Sequence, residues 1–291
     1  MGSPVSLAQE HYSNINVKLE IAEFCKDRWV AVHCTKEDGS LVFRRYLAER
    51  PLVIEKVEDL PALFERLGRR LRSIYATANK YRKIKKIEDV SDLENISRCT
   101  PTWDVDSTLP NWKETIRVAE RIIKILESEG IRESVYLKWS GNGCHIHIHE
   151  EALSEEVLMR ANPLDLAYAI VEYVRIRLEA EMVDELTSWG IKVENKMDPG
   201  RVFTCPLSLH RTLDAVCICM KPQELEEFSP EWIRPEKFRH HDDWRNFKKG
   251  EADGLALKSL EHIGGYPLIR RRRTRRTKRL DQQIVEWLKK E

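Results

Sequence analysis

The sequence has few of the features that mark membrane-spanning or secreted proteins. No apolar run approaches the ~20 residues that are needed to cross a bilayer, and residues 1–10 lack the apolar core of a signal peptide. With 42% hydrophobic and 33% charged residues, the 291-residue chain has the composition of a charged globular protein. We therefore expect an intracellular, cytoplasmic protein without a membrane partner.

The sequence also lacks a cysteine framework. Seven cysteines are present, an odd number, and no two of them form a Cys-x-x-Cys pair. In a chain of this length and expected location, these features argue against a set of disulfides. Cys217 and Cys219 alternate within an apolar run, and we predict that they are buried as small hydrophobic residues.

Acidic residues are missing from one stretch near the C-terminus. Residues 270–279 carry eight positive charges and no acid, which leaves −7 for the rest of a chain whose total is +1. Such a block is typical of a tail that contacts a polyanion, nucleic acid above all, although it can also serve solubility alone. The candidate DNA-binding residues of this block are Arg270, Arg271, Arg272, Arg273, Arg275 and Arg276.

The stretch from Ser140 to His149 is interpreted as a glycine-containing turn that leads into a β-strand. Small residues and free amides in such a turn can bind an anion such as phosphate. In the strand, His145, His147 and His149 alternate with isoleucines and so share one face. The three imidazoles could bind a metal or could form a polar sheet face without chemistry.

A second stretch, Pro101 to Ser107, is interpreted as a strand with two carboxylates. Asp104 and Asp106 point to the same side, ~7 Å apart, while Val105 packs behind them. Neighbouring carboxylates repel each other unless a positive group lies between them. A divalent cation is the usual solution, and oxygen ligands favour magnesium or manganese.

A third stretch, from Lys196 to His210, precedes an apolar β-type run at residues 215–220. It offers a further carboxylate, Asp198. It also offers four side chains that can bind phosphate, namely Arg201, Ser208, His210 and Arg211.

The periodicity of the whole chain predicts an α/β (α+β) fold. Residues 17–47 are predicted as a hairpin, and residues 57–87 as a basic helix that could follow a nucleic-acid backbone or form a solvated face. A helix is predicted from an N-cap at Asn111 to Gly130, and another over residues 163–189. Strand, helix, strand, turn and strand thus form a βαβ-like unit that can place the acidic strand beside the histidine strand.

The C-terminal part differs in composition from the rest. Gly264, Gly265 and Pro267 suggest a linker, and Leu280 to Lys290 a short helix. We therefore predict a catalytic domain over residues 1–262, followed by a linker, arginine-rich segment and helix over residues 263–291.

Together the three chemical stretches resemble the motifs of the archaeo-eukaryotic primase superfamily, the primase small subunits and primase-polymerases, over roughly residues 95–220. The first motif, Asp-x-Asp on an apolar strand, is matched by Asp104 and Asp106. The second, Ser-Gly-x-Gly-x-His, is matched by Ser140, Gly141, Gly143 and His145. The third, an Asp followed by Arg and by Pro-x-Ser-Leu-His, is matched by Asp198, Arg201, Pro206, Ser208 and His210.

The resemblance implies a primase-type catalytic domain whose mixed sheet, flanked by helices, carries the acidic and histidine strands. It implies a template-directed nucleotidyltransferase that joins nucleoside triphosphates to a 3′-hydroxyl, in DNA replication or repair at the nucleoid. Asp104, Asp106 and Asp198 would hold two Mg²⁺ or Mn²⁺ ions. The nucleotide-binding residues would be Ser140, Gly141, Asn142, Gly143, His145, Arg201, Ser208 and His210. The implied partners are a DNA template, a dNTP or NTP, and a primase large subunit or other repair or replication protein.

Two departures from the family pattern matter. Thr204 stands where many archaeal relatives have a basic residue, so the triphosphate would depend more on Arg201 or Arg211. Residues 151–197 contain neither Cys nor His, so the zinc knob of many primase small subunits is missing and no structural zinc is expected. This argues against primer initiation in particular, and not against polymerisation.

Two other function classes stay open at this point. One is a non-catalytic relative that binds nucleic acid through the arginine block and a nucleotide through the glycine-containing turn before the histidine strand. The other is a metal-dependent phosphohydrolase that uses the face of His145, His147 and His149. The paired carboxylates argue against the first class, because unpaired acids beside DNA would only weaken binding.

Overall fold

The structure is a computed structural model that describes residues 7–36, 38–67 and 71–267. Two five-stranded sheets and a set of flanking helices make up these residues. The α-helices are α1 (Leu7–Ser13), α2 (Ile15–Cys25), α3 (Asp59–Leu67), α4 (Trp112–Ser128), α5 (Glu155–Leu158), α6 (Pro163–Trp189) and α7 (Asp253–Ile263). In the described part of the chain, no helix is both long and apolar enough to cross a membrane.

The first sheet contains the N-terminal hairpin that the sequence predicts. Its strands are β1 (Arg28–Thr35), β2 (Leu41–Arg44), β5 (Leu71–Tyr81), β6 (Ile96–Cys99) and β11 (Val202–Thr204). Their order is β11-β5-β1-β2, and β6 also pairs with β5. A small separate ribbon consists of β3 (Tyr46–Leu47) and β4 (Arg50–Pro51).

The second sheet carries the acidic strand and the histidine strand. Its strands are β7 (Thr102–Asp106), β8 (Val135–Trp139), β9 (Cys144–Ile148), β10 (Lys192–Glu194) and β12 (Ile218–Met220), in the order β10-β7-β9-β8-β12. Both β7 and β8 pair antiparallel with β9, so the acidic strand lies directly beside the histidine strand as predicted. The α/β class is confirmed. The sheet is predicted to be mixed, with parallel and antiparallel pairs. This detail is corrected, because every pairing among the described strands is antiparallel.

The two long helices cover the second sheet. α4 begins at Trp112 and turns its apolar stripe, including Ile116, Ala119, Ile122 and Leu126, into the core. Asn111 directly precedes α4 but makes no side-chain cap, because it ends a short 3₁₀ turn. α6 has the predicted ends, since Asn162 accepts a hydrogen bond from the Leu164 amide and Gly190 adopts a φ of 65°.

The predicted basic helix over residues 57–87 is wrong over residues 71–87. Residues 71–81 form β5, an 11-residue strand between β1 and β11. Leu71 continues the i, i+4 spacing of Leu63 and Leu67, so helical periodicity alone could not detect the change. Pairing on both sides satisfies the backbone of β5, and this long-range contact decides its structure. Residues 17–25, which the predicted hairpin region included, belong to α2 (Ile15–Cys25).

The predicted linker packs against the domain. Gly265 lies so close to Asp165 on α6 that a Cβ at this position would be 2.7 Å from the carboxyl carbon. The Tyr266 amide donates to Asp165 Oδ1 at 2.8 Å, and the Tyr266 ring packs on Tyr168. The arginine block and the predicted helix over residues 280–290 lie outside the described residues.

A buried ion pair joins the two sheets. Arg28 on β1 contacts Glu150, just after β9, at 2.7 Å, and the two side chains are only 2% and 4% exposed. Lys80 on β5 and the hydroxyl of Thr100 bind the same carboxylate, each at 2.8 Å. Burial alone would raise the pKa of Glu150, but the charges of Arg28 and Lys80 outweigh burial and hold this pKa well below its usual range.

We predict that Glu150→Ala will lower the free energy of unfolding by about 3–5 kcal/mol, because it leaves the buried Arg28 guanidinium without its counter-ion. Urea denaturation measures this change. Glu151→Ala is the matched control, since Glu151 makes a partly exposed ion pair with Arg98 and should cost about 1 kcal/mol or less. Equal losses in the two variants would contradict the prediction.

Candidate active site

Antiparallel pairing brings the first two motifs into contact. Asp104 on β7 is the register partner of His145 on β9, and His145 Nε2 lies 3.2 Å from Asp104 Oδ1. The Asp104 side chain is 14% exposed, whereas Asp106 at the end of β7 is 55% exposed. Burial would raise the pKa of Asp104, but His145 and the neighbouring Lys196 hold it well below its usual range. His145 therefore fixes one carboxylate in place, and its predicted contact with phosphate stays a prediction.

A third carboxylate, which the sequence reasoning missed, lies beside this pair. Glu194 on β10 is the register partner of Asp104. Lys196 lies between the three carboxylates, with Nζ 2.8 Å from Asp104, 2.5 Å from Asp106 and 3.0 Å from Glu194. The alternation of Ile191, Lys192, Val193 and Glu194 is the signal that could have revealed this acidic strand.

The same lysine controls the electrostatics of the cluster. Burial would lower the pKa of Lys196, but hydrogen bonds to Asp104 and Asp106 raise it above its usual value, so the ammonium stays charged. The hydrogen bond from Lys196 also lowers the pKa of Glu194. The three carboxylates are thus turned towards one internal cation.

Carboxylate oxygens are the ligands that hard divalent ions such as Mg²⁺ prefer, and three carboxylates lie here on two adjacent strands. In the described ranges, no group of three or more His, Cys, Asp or Glu side chains is already arranged as a metal site. The carboxylates instead converge on Lys196, which shows that their oxygens can surround one cation.

Asp198, the third carboxylate of the sequence prediction, has other contacts. Its Oδ1 accepts from the Gly200 amide at 2.7 Å, and its Oδ2 pairs with Arg201 at 3.3 Å. Arg201 in turn donates from Nε to the Lys196 carbonyl at 2.8 Å. Asp198 and Arg201 thus shape the turn between β10 and β11, and no contact joins Asp198 to Asp104 or Asp106.

The glycine turn contacts both other motifs. A Cβ at Gly143 would lie 2.5 Å from the Val105 carbonyl oxygen of β7, so only glycine allows this approach. Gly141 has a φ of 126°, and a Cβ there would lie 2.8 Å from the imidazole of His210. The turn is closed by a hydrogen bond from the Ser140 amide to the Gly143 carbonyl, and Asn142 at its tip is exposed.

His210 faces the turn as a hydrogen-bond donor. Its Nδ1 accepts from the amides of Thr212 and Leu213, so in the neutral ring Nε2 carries the hydrogen. Burial, with the nearby charges of Arg211 and Arg72, lowers the pKa of His210 to about 4. The ring is therefore neutral near pH 7 and presents an N–H beside Gly141.

The three histidines of β9 do not form a common metal site. His147 is fully buried, stacks on Tyr136 and shares a hydrogen bond with Thr102 at 2.8 Å. His149 accepts from the Glu151 amide and stacks on Phe247. These contacts make His147 and His149 part of the packing, and only His145 contacts a motif carboxylate.

Ser208 and Thr204 also belong to the frame of the site. The Ser208 hydroxyl is buried, accepts from the Ile74 amide at 2.8 Å and lies 3.2 Å from the Tyr12 hydroxyl. A direct contact with nucleotide would require it to leave these partners. The Thr204 carbonyl accepts from Lys138, a fully buried lysine on β8. All seven cysteines are buried and free, as predicted for Cys217 and Cys219.

An aromatic cluster on the first sheet lies near His210. His33 packs on Phe43 and Tyr75 with ring centroids 5.0 and 5.3 Å away, and Phe43 is 44% exposed. Burial, then the charge of nearby Arg211, lowers the pKa of His33. Sequence reasoning did not connect these residues, because they belong to three separate strands, β1, β2 and β5.

Comparison with solved structures supports the architecture. The chain is similar to the polymerase domain of Mycobacterium tuberculosis ligase D, solved in complex with DNA, with a TM-score of 0.57 and 15% identity over 89% of this chain and 90% of that one. The likeness is one of fold. No family model and no curated protein sequence matches the chain.

We predict that Gly143→Ala will lower the free energy of unfolding by about 1–3 kcal/mol, because its methyl group would collide with the Val105 carbonyl and force the turn away from β7. Chemical denaturation measures this loss. Gly254→Ala is the control, since a Cβ there meets no atom within 4 Å and the position lies in α7. Destabilisation by both substitutions alike would contradict the assigned contact.

We also predict that the His210 imidazole will titrate near pH 4, which NMR chemical shifts of its ring can follow. In the unfolded chain a histidine titrates near pH ~6.5. Between pH ~6.5 and the folded pKa, the unfolded state takes up a proton that folded His210 does not, so the free energy of unfolding falls as the pH drops through this range. Above pH ~6.5 the contribution of His210 is constant. Arg211→Gln should move the midpoint upward by removing a neighbouring charge. A midpoint near 6.5 in the unmodified protein would refute this environment.

Proposed function

We propose that the protein is a template-directed nucleotidyltransferase of the primase-polymerase type, which joins nucleoside triphosphates to a 3′-hydroxyl and releases pyrophosphate. The observation that carries the proposal is the meeting of a carboxylate cluster with the glycine turn and His210. The turn lies against the backbone of the acidic strand itself, at Val105. A triphosphate on the turn would therefore lie beside the carboxylates.

Asp104, Asp106 and Glu194 would hold the divalent metal. Mg²⁺ or Mn²⁺, when bound, would lower the pKa of the attacking hydroxyl and neutralise charge on the reacting phosphate. We assign the third carboxylate to Glu194 in preference to Asp198, because Glu194 lies opposite Asp104 on the neighbouring strand and shares Lys196 with both aspartates.

The triphosphate would be bound by neutral and positive donors. The turn from Ser140 to Gly143 and the ring of His210 meet at Gly141, and Arg211 supplies charge nearby. Because His210 is neutral, it contributes a hydrogen bond whose strength does not change over the physiological pH range.

The base and the template have a suitable surface next to the phosphates. Phe43 and Tyr75, with His33 between them, offer exposed aromatic area on which a base can stack. The similar polymerase domain was solved with DNA, which supports a DNA template for this chain too. Arg270 to Arg276 stay candidates for further contact with the DNA backbone.

The phosphohydrolase alternative receives less support from the geometry. It depends on three histidines that converge on one metal, and His147 and His149 are engaged in packing and local hydrogen bonds. The non-catalytic alternative leaves the clustered carboxylates without a use.

A primer-extension assay with labelled nucleotides and Mg²⁺ or Mn²⁺ tests the proposal. We predict that Asp104→Asn and Asp106→Asn will each lower extension by roughly 10³-fold or more, since metal-based charge stabilisation contributes several kcal/mol to such a step. Glu194→Gln should cause a similar loss.

Asp198→Asn is the matched control, because it removes the same charge four residues away. We expect it to act on the turn near Gly200 and to retain much more activity than Glu194→Gln. The reverse order would return the third metal ligand to Asp198. Full activity in Asp104→Asn and Asp106→Asn would refute polymerisation at this site, and release of inorganic phosphate without extension would favour hydrolysis.

A further inference from the structure

Lys196 occupies an unusual position for a lysine next to a polymerase-type carboxylate cluster. Its single ammonium binds one oxygen from each of Asp104, Asp106 and Glu194, at 2.5 to 3.0 Å. A metal bound by these carboxylates would need the same oxygens. The lysine and a metal therefore compete for one place.

The metal-free protein has a physical need for this lysine. Three carboxylates on adjacent strands repel each other, and Asp104 is largely removed from water. The ammonium neutralises part of that charge and gives each acid a charge-assisted hydrogen bond. Without it, the ends of β7 and β10 would carry uncompensated negative charge.

The geometry also allows the lysine to leave. The backbone of Lys196 is held by the hydrogen bond from Arg201 Nε to its carbonyl, while its side chain is 22% exposed. Two of its three partners, Asp106 and Glu194, are about half exposed. The ammonium can therefore rotate into solvent without any change in the strands.

We propose that Lys196 is a displaceable counter-ion, which stabilises the carboxylate cluster in the metal-free protein and is expelled when a divalent metal binds. This inference rests on the proposed function for the identity of the metal. Lys196 is a positioning residue in this scheme. Its three contacts must break before a metal binds, and the free energy needed to break them lowers the metal affinity.

Two measurements on the full chain test the inference. Thermal unfolding in EDTA reports the metal-free state, and calorimetric titration with Mn²⁺ reports metal affinity. Lys196→Met should lower the melting temperature in EDTA, because the carboxylates lose their cation. It should also bind Mn²⁺ at least about tenfold more tightly, because no ammonium has to be displaced.

Lys192→Met is the matched control. Lys192 lies on the same strand, is the register partner of Asp106 and is exposed, yet it makes no ion pair in the described part of the chain. It removes the same charge, so any general effect of net charge on Mn²⁺ binding will appear in this variant. Should Lys196→Met fail to fold, Lys196→Gln removes the charge while keeping a polar side chain.

The outcomes separate this inference from the proposed function. Tighter Mn²⁺ binding in Lys196→Met than in Lys192→Met, with a lower melting temperature in EDTA, supports the counter-ion. Equal affinities in the two variants overturn it while leaving the metal site intact, and weaker binding in Lys196→Met shows that the lysine helps the metal instead. If neither the unmodified protein nor Lys196→Met binds Mn²⁺, the proposed metal site fails and the displacement fails with it.

Discussion

The mutual repulsion of carboxylates is the constraint on which the rest of the site depends. Asp104, Asp106 and Glu194 lie on two neighbouring strands, and such a group is stable only around a positive charge. Lys196 supplies that charge here, and His145 contacts the most buried of the three. The β7–β9 and β7–β10 registers create this arrangement, since a slip by one residue would turn each side chain to the opposite face.

Close backbone contacts bring the glycine turn to the acidic strand. Gly143 touches the carbonyl of Val105, and Gly141 touches the ring of His210, so the turn has contacts with both other motifs. Neither contact leaves room for a side chain. Three separate stretches of the sequence thereby meet through the turn, at Val105 on one side and at His210 on the other.

Much of this could be predicted from the sequence. Apolar periodicity and end signals located α4 and α6, and Asp-Gly between two apolar runs located the hairpin of β1 and β2. The order of the acidic strand, α4 and the histidine strand predicted their adjacency, because a short chain with these elements has few ways to fold. The helices and the hairpin depend on interactions between residues close in the chain, which local patterns record. The adjacency of β7 and β9 follows instead from the order of the elements.

Tertiary structure alone decided the rest. Residues 71–81 continue a helical pattern but form β5, because β1 and β11 pair with both of its edges. Glu194 and not Asp198 lies beside Asp104, because β10 pairs with β7 in one register. In the sequence, His147 and Ser208 look like site residues. In the structure, the His147 ring hydrogen-bonds to Thr102 and stacks on Tyr136. The Ser208 hydroxyl contacts the Ile74 amide and the Tyr12 hydroxyl. A sequence shows which side chains are available, but partners distant in the chain determine which of them remain free for chemistry.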